Sequence, residues 1–212
     1  MRHKGASMRD IRLLAIAVLV AAGMLTTASA GTAAASGTEG SKGATEATRS
    51  TVAAACGVTW GSLPKTSEAT GSRPLTNVRT GRHDCYDRMV LDIRGGTPAG
   101  TPAYDVRYVE KFYQDGSGHL IKINGGAVLQ IVASAPSYDP DTHQPTYGGK
   151  GGKPLPGVDL TGYKTFRDAR FGASYEGTTQ LGLGVRARLP FRVFTLGDRL
   201  VVDVAHSWAS AR

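Results

Sequence analysis

The sequence predicts an all-β domain, a sandwich of two similar antiparallel sheets, preceded by a signal peptide and a disordered linker. Three observations predict it. Residues 190–205, PFRVFTLGDRLVVDVA, read as a β-hairpin: two alternating runs flank Gly197-Asp198, and glycine first in a two-residue loop gives the type II′ turn that suits antiparallel twist. The phrase Arg88-Met89-Val90-Leu91-Asp92-Ile93 is echoed by Arg199-Leu200-Val201-Val202-Asp203-Val204, each opening on Arg with Asp four residues on. Such an echo predicts two similar β-halves packed face to face. Finally, no segment of residues 56–212 carries a convincing helical period.

The chain has 212 residues and a formal net charge of +8. Arg2, Lys4, Arg9 and Arg12 precede a continuous apolar run over residues 13–25, and Ala28-Ser29-Ala30 follows as a small-residue cleavage site. This is a secretory signal peptide over residues 1–30, too short and wrongly flanked for a stable membrane span. No cysteine just after the apolar run supports a lipid anchor, and no later run is long enough to cross a bilayer. Cleavage removes four basic residues and one acidic, leaving +5. That modest excess fits an ordinary basic surface and only slightly favours anionic envelope polymers; nothing points to nucleic acid. Residues 31–55 are Gly, Ala, Ser and Thr with scattered charge, a flexible linker or a tether through an envelope layer.

The folded domain is expected over residues 56–212, enough for one core. Export and an even count make Cys56–Cys85 the default disulfide, stabilising by roughly 3–4 kcal/mol on the chain-entropy model. The rival is Cys85 as a nucleophile beside His83, although adjacent strand residues point to opposite faces. Trp60, beside the first cysteine, reads as packing rather than as a ligand platform. Residues 75–80 read as a strand, 81–87 as a polar turn and 88–93 as a strand with Met89, Leu91 and Ile93 inward. Residues 104–113 alternate, with Tyr104, Val106 and Tyr108 on one face. Asp115-Gly116-Ser117-Gly118 is a turn, and Asn124-Gly125-Gly126 predicts a hairpin between residues 119–123 and 127–133, the latter apolar enough for a central strand.

Residues 136–162 hold five prolines and the run Gly148-Gly149-Lys150-Gly151-Gly152, which predicts a long surface loop. The run is not a phosphate-binding loop, because the Lys-Ser/Thr ending and the strand-to-helix setting are missing. Residues 162–188 read as further strands. Leu181, Leu183 and Val185 share one parity and Gly182 and Gly184 the other, so something packs closely over the glycine side or the strand bends. In the last hairpin the loop fixes the register. Thr195, Val193 and Phe191 oppose Leu200, Val202 and Val204 on an apolar face; Leu196, Phe194 and Arg192 oppose Arg199, Val201 and Asp203 on the other. Facing opposite charges contribute roughly 0.2–1 kcal/mol, and a one-residue slip would turn the apolar set to water.

Chemistry-bearing residues are sparse. His83, His119, His143 and His206 lack metal-ligand spacing, so no metal or other cofactor is expected. Asp139 and Asp141 read as a turn before a calcium loop, and no acid pair stands out for glycoside hydrolysis. Arg192 and Asp203, with a counterpart near Arg88 and Asp92, read as register-fixing surface charges or, functionally, as a polar face meeting glycan or peptide. Tyr104, Tyr108, Tyr147, Tyr163 and Tyr175 would stack on sugar rings if exposed. The turn at residues 81–87, beside the first echo strand and near the disulfide, is the favoured binding edge. The ligand-binding candidates are therefore Arg82, His83, Asp84, Tyr86, Arg88, Arg192 and Asp203.

Taken together, CGVTWGSLPK, GRHDCYDRMVLDI, YDVRYV, SYEGTTQLGLGVRARLPFRVF and RLVVDVAHSW resemble the AMIN-like domain of secreted bacterial proteins, related to the AMIN module of cell-wall amidases. The resemblance spans residues 56–208. It implies a β-sandwich and a module that binds the cell envelope, most of all peptidoglycan. AMIN modules usually sit beside a catalytic or secretin domain; here only residues 209–212 follow Trp208 and a linker precedes Cys56, so targeting of an attached enzyme does not transfer. No catalytic residues carry over. The expectation is a secreted, envelope-associated, non-catalytic module, monomeric or weakly homodimeric through edge strands. The alternatives are a small-ligand or protein-partner binding sandwich, which an apolar cavity would favour, and a secreted hydrolase, which needs a cleft of converging acid, base or nucleophile.

Overall fold

The computed structural model describes residues 56–68, 70–71, 73–93 and 100–209; the expected signal peptide and linker lie outside them. Eleven strands and no helix are found there. In chain order they are β1 (Lys65–Ser67), β2 (Leu75–Arg82), β3 (Tyr86–Ile93), β4 (Tyr104–Val109), β5 (Phe112–Tyr113), β6 (Leu120–Ile121), β7 (Ala127–Ala133), β8 (Phe166–Tyr175), β9 (Thr178–Val185), β10 (Phe191–Leu196) and β11 (Arg199–Ala205). A five-stranded sheet runs β1-β4-β7-β9-β8 and a four-stranded sheet runs β10-β11-β3-β2. Every pairing is antiparallel.

The sandwich is thus the expected one, and its core follows from strand parity. Met89, Leu91, Leu200, Val202 and Val204 of the smaller sheet meet Leu129, Ile131, Leu181, Leu183 and Val185 of the larger. All ten side chains are withdrawn from water, and truncating one such leucine to alanine costs about 2–5 kcal/mol. The β10–β11 register is the one read from the loop, pair for pair, from Phe191↔Val204 to Leu196↔Arg199. Gly197 has φ +58° while Asp198 stays outside the left-handed region, as a type II′ turn demands.

The echo has a different meaning from the one expected. Its two copies do not lie on opposite sheets. They are β3 and β11, paired with each other in the smaller sheet: Arg199↔Asp92 and Arg88↔Asp203, centred on Val90↔Val201. In an antiparallel pair, a phrase with Arg at one end and Asp at the other is complementary to its own copy. The similarity therefore joins two hairpins, β2–β3 and β10–β11, side by side through their second strands.

Two further expectations are corrected. The hairpin about Asn124-Gly125-Gly126 does not form. β6 pairs instead with β5, around the Asp115–Gly118 turn, and β7 pairs with β4 and β9 in the middle of the larger sheet. The Asn-Gly-Gly segment crosses the sheet surface, with the Gly126 N–H donating to the Val185 carbonyl at 2.8 Å. Phe112, Ile123 and the Asn124 carbonyl occupy the space that Cβ atoms on Gly182 and Gly184 would need, which is the close packing read from the glycine parity. Residues 136–162 contain no strand, as expected, but they are more than a surface loop. Tyr147 and Leu155 are part of the core, with Val158 and Leu160 packed against it. The proline-rich composition excludes ladder pairing and still allows large side chains to seal a sandwich edge.

Candidate functional site

The disulfide organises the site. Cys56 and Cys85 are bonded, with their Cα atoms 5.2 Å apart, so the alternative of Cys85 as a free nucleophile falls. The bond pins the segment before β1 onto the turn between β2 and β3. A second tie, from the Phe191 N–H to the Gly61 carbonyl at 3.0 Å, holds the same segment against β10. Together they bring Trp60 edge-on to Tyr86, with ring centroids 5.5 Å apart.

On the outer face of the smaller sheet, Asp203 is fully buried between two arginines. Arg88 donates from Nε and Nη2 to its two carboxylate oxygens at 2.6 and 2.9 Å, and Arg192 donates from Nε at 2.8 Å. The reading of Arg192 and Asp203 as surface charges is therefore corrected, because the carboxylate is enclosed. Both guanidinium groups lie over aromatic rings. Arg192 sits 4.3 Å from the Trp60 centroid and 5.1 Å from that of Phe194; Arg88 sits 5.2 Å from Tyr86 and 5.5 Å from Phe194. The hydrogen bond to Asp203 raises the Arg88 pKa further. The result is a rack of three rings held by two fixed cations, each contact contributing about 0.5–2 kcal/mol according to its exposure. Trp60 therefore packs, as expected, but as a partly buried member of the rack on the sheet's outer face. The clue in the sequence was its place four residues from a disulfide cysteine.

At the turn end of the same sheet, Asp87 shares the inward parity of Met89 and Leu91 and is buried. Its Oδ2 accepts the Thr165 and Phe166 backbone N–H groups at 2.6 and 3.2 Å, which ties the smaller sheet to the start of β8 in the larger. Its Oδ1 lies 3.0 Å from His206 Nε2, and His206 Nδ1 lies 3.0 Å from the Asp84 carbonyl oxygen. Asp87 was missed although strand parity marks it; His206 has the inward parity of Val202 and Val204. Above this floor is a shallow depression of about 240 Å³, lined by Arg82, His83, Asp84, Asp87, Gly162, Lys164 and His206. His83 stacks on Tyr86 with centroids 4.4 Å apart, joining the depression to the rack.

The seven candidate residues therefore gather at one end of one sheet. Arg82 ends β2 and His83 and Asp84 are on the exposed turn after it; Tyr86, Arg88, Arg192 and Asp203 are in the rack. The tyrosines mostly do not join them. Tyr104, Tyr108, Tyr147 and Tyr163 pack with the core. Burial pushes the Tyr108 hydroxyl up to about 12, where it donates to the Leu189 carbonyl, and burial raises Tyr147 as well. Tyr175 is exposed at the β8–β9 turn. Asp139 Oδ1 accepts the Asp141 and Thr142 N–H groups, the turn reading of that segment. Among the described residues no three His, Cys, Asp or Glu side chains converge as metal ligands. An open depression of about 450 Å³, with Tyr108, Glu110, Ile123 and Arg188 on its wall, has a mixed rather than an apolar lining.

The family model of the AMIN-like domain matches residues 73–206. The chain belongs to the AMIN-like domain family. The match runs from just before β2 to His206, so it takes in both hairpins of the smaller sheet and the Asp87–His206 pair. Membership relates this AMIN-like domain to cell-envelope modules. No curated protein and no solved structure matches the chain.

Proposed function

We propose that this AMIN-like domain is an exported, non-catalytic module of the cell envelope that binds peptidoglycan through the outer face of its smaller sheet. The observation that carries the reading is the rack of Trp60, Tyr86 and Phe194 under Arg192 and Arg88. Rigid rings beside oriented guanidinium donors suit the apolar faces and hydroxyl edges of sugar rings, with little ordering left to occur on binding. A structural disulfide and a signal-type N-terminus support export. The non-catalytic part rests on charge saturation. Asp203 and Asp92 each lie between arginines, and Asp87 accepts two amides and faces His206, so these carboxylates are engaged in holding strands and sheets together.

The test is co-sedimentation of the exported chain with purified cell-wall sacculi. Saturable binding that survives moderate salt, and that Trp60→Ala and Tyr86→Ala each weaken, supports the reading. Absence of binding, or binding abolished by modest salt, overturns it.

A further inference from the structure

We infer that the depression at the β2–β3 turn is an oxyanion-binding subsite, with Arg82 and Lys164 as its ligands. The inference rests on the peptidoglycan reading only for where such a group would come from. The floor is already satisfied: Asp87 takes two backbone N–H groups and His206. The rim is not. Arg82 and Lys164, both on the depression, make no ion pair, whereas six other arginines among the described residues do.

Arg82 also lies close to Gly162. Its Nη1 lies 2.9 Å from where a Cβ on Gly162 would stand, so the guanidinium rests against the Gly162 backbone. Gly162 has φ +77°, which a side chain would strain, so the backbone favours glycine there. A guanidinium with no acid partner is a fork for a carboxylate or phosphate, and a lysine on the same depression adds a point charge. Asp84 on the rim limits the net positive charge of the depression. A carboxylate of the wall peptide and a phosphodiester of an attached anionic polymer share this chemistry.

The first experiment needs no cell wall. Inorganic phosphate and, separately, acetate are titrated into the folded chain while NMR follows the Arg82 Nε–H, the Gly162 amide and the His83 ring. Saturable shifts at these groups, absent at the exposed Arg79 and Arg199, are expected. Arg82→Gln/Lys164→Gln should weaken binding about tenfold or more, as loss of charge-assisted hydrogen bonds implies. Arg82→Lys should restore part of it. No saturation, or equal shifts in the double variant, overturns the inference whether or not sacculi are bound. Sacculi before and after hydrofluoric acid, which removes phosphodiester-linked polymers, then distinguish the source. An Arg82-dependent component that disappears marks the phosphodiester, and one that persists marks the peptide carboxylate. The peptidoglycan reading fails separately, if sacculi are not bound while the phosphate or acetate titration still saturates.

Discussion

Asp203 and Asp92 occupy matching places in the two copies of the Arg-x-x-x-Asp phrase, and each is held by two arginines. One comes across the β3–β11 seam, Arg88 to Asp203 and Arg199 to Asp92; the other comes from the hairpin partner, Arg192 and Arg79. The surroundings differ. The Asp203 side chain is 0% exposed and that of Asp92 25%. Arg88 and Arg192 are 23% and 40% exposed, against 48% and 47% for Arg79 and Arg199. The cause is visible two residues before each phrase. Tyr86-Asp87-Arg88 opens one copy and Gly197-Asp198-Arg199 the other. At the first place stands a ring that meets Trp60 and Arg88; at the second, a turn glycine. One self-complementary device thus gives a buried, aromatic-covered clamp at one end of the sheet and a solvated one at the other. Only the covered end adjoins the disulfide, His83 and the Arg82 depression.

Removing Asp203 should have the largest effect. Asp203→Asn leaves two guanidinium groups around an amide in a closed site, and breaking a buried pair costs about 3–5 kcal/mol. Urea unfolding of the variant checks this. A loss below about 1 kcal/mol would place Asp203 in the exposed class and dissolve the contrast between the two ends. Next is the covering segment. Cys56→Ser/Cys85→Ser should lose roughly 3–4 kcal/mol on the chain-entropy model, and the Trp60 fluorescence should move toward that of a solvated indole. Unchanged fluorescence would mean that the Phe191–Gly61 tie alone holds the rack. Trp60→Ala should cost less, about 1–2 kcal/mol for lost stacking on Arg192 and Tyr86, yet it should reduce sacculus binding more than Tyr175→Ala, which removes an exposed ring outside the rack.

What the sequence made legible was local. The Gly197-Asp198 turn sets the β10–β11 register because a two-residue loop leaves no freedom, and the nearly all-apolar run at residues 127–133 announced a central strand. Parity also made the glycine face of β9 readable, though not that Phe112 and Ile123 would fill it. What stayed hidden depended on contacts between distant segments. The echo was visible, but whether two like strands face each other across a core or pair edge to edge is decided by which edges are free. Trp60 entered the site through a disulfide and His206 through an end-of-sheet hydrogen bond, and although spacing and parity marked both residues, neither pattern names the partner each one meets. Lys164 carries no signal in the sequence; it reaches the depression because Asp87 anchors the start of β8.

The solvated clamp gives the smallest effect and a pH dependence of known sign. The hydrogen bond from Arg79 lowers the Asp92 pKa against the opposing effect of partial burial, with Asn77 and Arg199 adding to the lowering. An aspartate whose folded pKa is depressed stabilises the fold fully above its unfolded value, about 3.9, and loses that contribution as the pH falls through the folded value. Asp92→Asn should therefore cost less than about 1 kcal/mol at neutral pH, the range of exposed pairs. The stability curves of the variant and the parent should converge as the pH drops below about 4. Unfolding midpoints measured across that range, at low and at moderate salt, make the check. A gap that persists into acid would mean that Asp92 acts through packing at the seam rather than through its charge, and the two clamps would then differ in kind and not only in burial.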